Sequence, residues 1–201
     1  MPKVTRAIIS CYDKTDVVEL AQTLSDMGIE LITTDGTHRA LEQGGIESIQ
    51  IADFTGVREM LSGRVKTLHP KIHAGLLGVR DNKLHGEEMQ TNEFQWIDLV
   101  VVNLHPVEDI IEKSSSNPEE VMDQLDMGGM AMIRSAAKNF RYVTVAVNPE
   151  RYSTVIHELQ AHEGSLTFRT RYKLAQEAFS ATAHYDRVLA EFLQSSEPPE
   201  E

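Results

Sequence analysis

Residues 63–73 read GRVKTLHPKIH, with Arg64, Lys66 and Lys71 as three formal positive charges, His69 and His73 as two imidazoles, and no acid between them. The whole chain of 201 residues carries a formal net charge of −12. The stretch is therefore a cationic island in an acidic protein. A local cluster of cations can hold a small anion even when the distant surface repels it, because exposed charges are screened over roughly 8–10 Å.

Four other segments combine side chains able to do chemistry. SCYDKTD at 10–16 offers Ser10, Tyr12, Asp13 and Lys14, and TTDGTH at 33–38 offers Thr34, Asp35, Gly36 and Thr37. NLHP at 103–106 contributes Asn103 and His105 directly after Val102. LDMGGMAMIRSAAKN at 125–139 contributes Asp126, Met127, Gly128 and Lys138. Hydroxyls beside a glycine at a helix start leave backbone N–H groups free, which favours a phosphate. An ordinary capped turn satisfies the same pattern. Likewise Asp126 reads either as a functional acid or as the cap of the helix that follows, whose Ile133, Ala136, Ala137 and Phe140 face away from Arg134, Lys138 and Arg141.

Other chemistries are less well served. His69 and His73 have the i, i+4 spacing of a metal pair, but Pro70 interrupts a continuous helix and no third ligand stands at a telling distance. No metal or cofactor site is expected. Cys11, the single cysteine, has no positioned base beside it and reads as a buried structural thiol. The acidic balance argues against a nucleic-acid surface, which needs an extended basic face. No long apolar span suggests a membrane helix, no signal peptide is expected, and one cysteine fits a reducing, cytoplasmic location.

These segments need elements to hold them. Strands are expected at 4–10, in IELITT, in IESIQIA, at 96–104 and at 142–147. The unbroken apolar run from Leu99 to Val102 suits a parallel strand covered on both faces. Helices are expected from Asp13, as N-cap, to Gly28; through Ala40 and Leu41 to Gly44 and Gly45; and at 118–125, 128–140, 149–162 and 167–193. Alternating strands and helices predict an α/β fold with a mostly parallel sheet, and a parallel sheet gathers 10–16, 33–38 and 103–106 at its carboxyl edge. One domain over 1–193 is expected, followed by a disordered acidic tail at 194–201.

The segments SCYDKTD, TTDGT, GRVKTLHPK, NLHP, LDMGG and RSAAKN resemble, in order and approximate spacing, the N-terminal half of the bifunctional purine-biosynthesis enzymes that carry transformylase and IMP cyclohydrolase activities. The resemblance spans nearly the whole chain. It implies a free-standing IMP cyclohydrolase, or that domain of the larger enzyme, with a three-layer α/β sandwich like that of methylglyoxal synthase. The implied substrate is a formamido-imidazole-carboxamide ribotide, closed to IMP and water without metal or cofactor. The resemblance makes Lys66 the cation that meets the developing oxyanion. Lys138 becomes the proton-transfer residue supported by Asp126, and Arg64, Val65 and Thr67 substrate contacts. Lys14, Thr34, Gly36 and Thr37 fall at the phosphate end, Asn103 at the base-contacting strand end, and Met127 and Gly128 supply backbone contacts. Ser10, Tyr12, Asp13, Asp35 and Val102 are further implied substrate contacts, and His105 joins the implied catalytic residues. It further implies a homodimer and a separate transformylase as supplier of substrate.

Two positions depart from that family. His105 stands where a tyrosine is usual, which keeps a hydrogen-bond donor but adds a group that titrates near pH 6.5. Asp35 replaces the first of two adjacent glycines. A carboxylate about 5 Å from a singly charged phosphate would cost on the order of 3 kcal/mol at an effective dielectric of 20. Asp35 is expected to turn away and cap the helix, with Lys14 offsetting its charge. A further question is reach, since a straight helix over 128–138 puts Lys138 about 15 Å from its start. Two alternatives stay open. One is a nucleotide-binding module that has lost the reaction. The other, methylglyoxal synthase itself, is disfavoured by GRVKTLHPK and AAKN.

Overall fold

The computed structural model describes residues 2–114 and 117–198. Its centre is a five-stranded, all-parallel sheet in the order β3-β2-β1-β4-β5. The strands are β1 (Arg6–Cys11), β2 (Glu30–Thr33), β3 (Ile49–Gln50), β4 (Leu99–Asn103) and β5 (Thr144–Ala146). Register pairs Ile8 with Ile32 and with Val100, so apolar residues stack across the middle three strands. Every residue of β4 is buried, as its run of valines requires of a strand with helices on both faces.

On one face, helices α1 (Val17–Asp26) and α9 (Tyr152–Ala161) pack through Val17, Leu20, Leu24, Val155 and Leu159 against Ala7, Ile9 and Val101. On the other, α4 (Pro70–Leu77), α8 (Met127–Lys138) and the first half of α10 (Phe168–Ser195) cover Ile8, Ile32, Val100 and Val102. The alternation of inward side chains along each strand thus builds two cores and three layers. The second half of α10 passes beyond the sheet and closes a satellite core with α6 (Val107–Lys113) and α7 (Pro118–Asp123), centred on Ile110, Val121 and Phe192. The remaining helices are α2 (Asp35–Gln43), α3 (Ile51–Thr55) and α5 (Lys83–Thr91).

Several boundaries differ from the sequence expectation. Asp13 does not cap the first helix. Its carboxylate accepts from Thr15 N and Oγ1 at 2.9 and 2.7 Å, and Asp16, at φ 55°, precedes α1 instead. IESIQIA is a two-residue edge strand that turns at once into α3, ended by left-handed Gly56. The expected break at Pro70 is a helix start: proline sits at the first position of α4, where its missing N–H costs nothing, and His69 caps by accepting from Lys71 N. Of the expected tail, Ser195 still belongs to α10, and residues 199–201 lie outside the described residues. No helix among the described residues is long and apolar enough to cross a membrane.

Candidate functional site

The strand order reverses between β1 and β4, and in an open parallel sheet the cleft at such a switch point lies outside the carboxyl ends of the strands. The loops there are tied together by short polar contacts. Ser10 and Thr34, at the ends of β1 and β2, have hydroxyls 2.9 Å apart. Cys11 N donates to the buried hydroxyl of Thr37 at 3.1 Å. Asn103, closing β4, accepts from Asp13 N at 2.8 Å and donates to Asp13 O at 2.9 Å, so its amide clamps the 11–16 loop.

The start of α2 is the phosphate-like element. Thr34 is its N-cap residue, with β-region backbone, and the N–H groups of Thr37 and His38 return to Thr34 O. Asp35 and Gly36 occupy the first turn, where N–H groups have no partner within the helix. A Cβ at Gly36 would meet nothing nearer than the Lys14 ammonium at 4.0 Å, so the approach is open. Lys14 itself donates to the carbonyls of Cys11 and Tyr12, and burial is the main cause that lowers its pKa from the ordinary lysine value.

The expected partner of Asp35 is not the observed one. Asp35 is the first residue of α2 rather than its cap, and its carboxylate lies 2.6 Å from Lys66 Nζ, not on Lys14. The Lys66 hydrogen bond is the main cause that holds the Asp35 carboxyl below its usual range. Glu59 adds a second carboxylate 3.4 Å from the same ammonium. Lys66 is only 18 % exposed, so the pair closes over it. Sequence spacing gave no sign of Glu59. It reaches back because Leu61, Ser62 and Gly63 all take left-handed backbone (φ 51°, 53° and 86°), and a Cβ at Gly63 would overlap its carboxylate.

The start of α8 meets the segment that carries Lys66 through Gly128 and Thr67. Asp126 accepts from Gly129 N at 2.8 Å, so it performs the capping role, while remaining exposed beside the equally exposed Met127. Gly128 lies against Thr67, where a Cβ would come within 1.9 Å of Thr67 Oγ1. Because Thr67 is buried and β-branched, it has little freedom to move aside. Gly128→Ala is therefore expected to destabilise the fold by about 1–3 kcal/mol. Denaturant titration checks this; an unchanged midpoint would show that Thr67 yields freely. Val65, half-buried, carries the loop between Arg64 and Lys66, and Arg64 is exposed and paired with Asp123 of α7. Val102 is fully buried in the sheet and presents no side chain to the cleft.

His105 stacks on Tyr12 with ring centroids 3.9 Å apart and 13° between planes. Desolvation first, then the Lys113 ammonium 3.4 Å away, lowers its pKa below the usual histidine value. Burial does the same for His69 and for His73, whose Nδ1 lies 3.0 Å from Ser135 Oγ while its Nε2 is buried with no partner. All three bind fewer protons folded than unfolded. Their stabilising effect is present above the unfolded histidine value and is lost as pH falls through about 6.5. The depressed carboxyls of Asp35 and Glu158 have the same sign at lower pH. The melting temperature is thus expected to fall steadily between pH 7.5 and 5; a flat or rising profile would contradict the burial of these imidazoles.

Beyond Val102, another predicted residue is not brought to this cleft. Lys138 is the last residue of α8 and Asp126 caps its first turn, so about 18 Å of helix separates them. α8 runs antiparallel to the strands, which puts exposed Lys138 toward the amino edge of the sheet. Tyr152, which the sequence did not single out, sits below the cleft with its hydroxyl 3.4 Å from Cys11 Sγ and 3.3 Å from Asn103 Nδ2. Burial pushes both the thiol and the phenol above their usual values, which disfavours the thiolate at buried Cys11. Among the described residues no three His, Cys, Asp or Glu side chains are grouped to hold a metal ion.

Comparison with known proteins bears on this geometry. Residues 16–131 match the family model described as an MGS-like domain, and residues 136–201 match that of the AICARFT/IMPCHase bienzyme. The chain is 45 % identical over 195 residues to the bifunctional purine biosynthesis protein PurH of Neisseria meningitidis serogroup A / serotype 4A (strain DSM 15465 / Z2491), covering 97 % of this chain and 37 % of that protein. It is 48 % identical over 188 residues to PurH of Listeria monocytogenes serotype 4b (strain CLIP80459), covering 94 % and 37 %. The chain thus spans little more than a third of the length of these relatives. A solved structure, that of ForH, superposes with a TM-score of 0.83 at 32 % identity, covering 94 % of this chain and 99 % of ForH. With the MGS-like match alone taking in more than half of its residues, the chain belongs to the MGS-like domain family, as the counterpart of the N-terminal, IMPCHase part of the PurH bienzymes.

Proposed function

We propose that this protein is an IMP cyclohydrolase, closing the formamido-imidazole-carboxamide ribotide to IMP and water. The observation that carries the reading is the meeting of Lys66 with the first turn of α2, 2.6 Å from Asp35, at the carboxyl edge of the parallel sheet in a chain 45 % identical to a PurH relative. In the reaction the carboxamide nitrogen attacks the formyl carbon and gives up one proton, the formamido nitrogen gives up a second as the ring C=N bond forms, and the formyl oxygen departs with both as water. The start of α2 with Lys14 would take the ribotide phosphate. Lys66 would face the oxygen that gains charge, and the fixed loops would hold the two arms of the ring together, which for an intramolecular closure supplies much of the rate. Neither metal nor cofactor enters this scheme, and a purine-biosynthetic role implies the cytoplasm. A separate formyl-transfer reaction must supply the substrate.

Lys138 enters only from a second copy of the chain, since its own helix carries it away from Lys66. A two-fold dimer would return the lysine of each copy to the site of the other. Lys66→Ala and Lys138→Ala are each expected to keep no more than about a hundredth of the original rate. Mixed in equal amounts and allowed to exchange, they should recover about one quarter of the original rate, because half the dimers carry one intact site. No recovery, with both variants folded and exchange demonstrated, would place Lys138 outside the site. The second reading, a nucleotide-binding module without turnover, draws on the engagement of Lys66 by both Asp35 and Glu59, and it predicts IMP binding with no ring closure.

A further inference from the structure

At the amino edge of the sheet, remote from the switch point, lies a cavity of about 430 Å³ lined by Pro2, Arg80, Asp81, Arg141, Tyr142, Phe168 and Arg171. Three guanidiniums around one cavity are unexpected in a chain of net charge −12. We propose that this cavity is a binding site for a phosphate-type anion, either inorganic phosphate or a small phosphate monoester.

The cluster is built, not incidental. Arg171 is 4 % exposed, in the first turn of α10, and donates to the carbonyls of Phe140, Leu166 and Arg141. Those carbonyls fix the plane of the guanidinium but remove none of its charge. Arg80 is held from the other side, 2.5 Å from Asp98 and 3.1 Å from Ile97 O, yet its Nε–H is buried with no partner. A guanidinium cannot shed its proton to relieve such a situation. Burial first and the neighbouring Arg80 second lower the Arg171 pKa, which means that two like charges are held close in a poorly solvated place. Arg141 is exposed over the Tyr142 ring and makes no ion pair among the described residues.

The acids nearby do not fill the site. Asp98 is 3 % exposed and already accepts from Thr5 N, Thr5 Oγ1 and Arg6 N at 2.7–2.9 Å in addition to Arg80. It does not line the cavity. Asp81 does, but it accepts the Tyr142 hydroxyl at 2.6 Å. With Asp98 counted beside Arg80, the described residues around the cavity carry three positive charges against two negative. At the N-terminus of α10 the N–H groups of Thr167 and Thr170 are already taken, by the Glu158 carboxylate and the Thr167 hydroxyl. The charge that would hold an anion comes from the arginines, whose forked N–H groups match phosphate oxygens. Phe168 supplies an apolar wall that would suit an organic group on the phosphate.

The test is a titration of the isotope-labelled full chain with inorganic phosphate and, separately, phenyl phosphate, following backbone amide and arginine Nε–H resonances, with sodium chloride at matched ionic strength as control. The expected result is saturable shifts at Arg80, Arg141, Tyr142 and Phe168 that chloride does not reproduce. Arg141→Gln, a change at an exposed side chain, should weaken the affinity about tenfold, as loss of a charge-assisted contact implies. Tighter binding of phenyl phosphate would identify a phosphate ester as the ligand, and equal affinities inorganic phosphate; both support the site. Shifts confined to the start of α2, shifts that merely track ionic strength, or an unchanged affinity in Arg141→Gln would overturn it. Because the signals come from the amino edge, the outcome is separate from that of the ring-closure reading.

Discussion

Lys66→Ala is expected to lower the rate of ring closure by about two to three orders of magnitude while leaving the fold intact, the size of effect seen when a single preorganised charge or donor facing a developing oxyanion is removed. The structural cost should be small. Asp35 and Glu59, the two carboxylates that lose their partner, are 44 % and 45 % exposed and can be rehydrated, so the ion pairs are worth little to stability. Rate and stability therefore separate in this variant, which a merely structural lysine would not allow. Steady-state kinetics beside thermal melts would show it. A rate within a factor of about three of the original, in a folded variant, would remove Lys66 from the chemistry.

Asp35→Gly should act in the opposite direction. The carboxylate occupies the first turn of α2, where the proposed phosphate needs the free N–H groups, and it holds the ammonium that should face substrate. At an effective dielectric of 20, a carboxylate about 5 Å from the phosphate costs on the order of 3 kcal/mol. Its partial exposure and its pairing with Lys66 reduce that figure. A fall of about tenfold in KM for the ribotide is expected, or about 1.4 kcal/mol, with little change for the corresponding nucleoside lacking phosphate. Some helix stability is given up, because glycine is entropically costly and an acid is favourable in a first turn. An unchanged or higher KM would mean that Asp35 assists binding, by orienting Lys66.

Much of the fold was legible because its signals are local and strong. The run Leu99–Val102 suits a strand covered on both faces, and Val17, Leu20, Ala21 and Leu24 recur at helical spacing; the structure has β4 and α1 there. The boundaries that were misread involve competing local rules. Pro70 reads as a breaker in the middle of a pattern and as an initiator at its start, and only the His69 cap distinguishes the two. Asp13 and Asp16 both offer caps, and the Asn103 clamp on Asp13, from 90 residues away, fixes which turn forms.

The same contrast holds at the candidate site. The parallel-sheet rule gathers Ser10, Thr34 and Asn103 at one edge, and the structure brings them there. The partner of Asp35 was not legible, because Glu59 and Lys66 meet it only through a left-handed turn at 61–63. Tyr152 was invisible for a similar reason: its role depends on a buried contact with Cys11 that no spacing announces. Lys138 shows the limit of reading motifs along one chain. Its sequence neighbourhood groups it with Asp126, while the rise of α8 carries it to the far edge of the sheet.

The central claim is that the cleft at the β1–β4 switch point closes a purine ring. Its most direct test is the absorbance change on incubating purified protein with the formamido-imidazole-carboxamide ribotide, with IMP identified as product. The account predicts catalytic, metal-independent formation of IMP at a rate proportional to protein concentration. Absence of IMP formation by a folded protein that still binds IMP would contradict it.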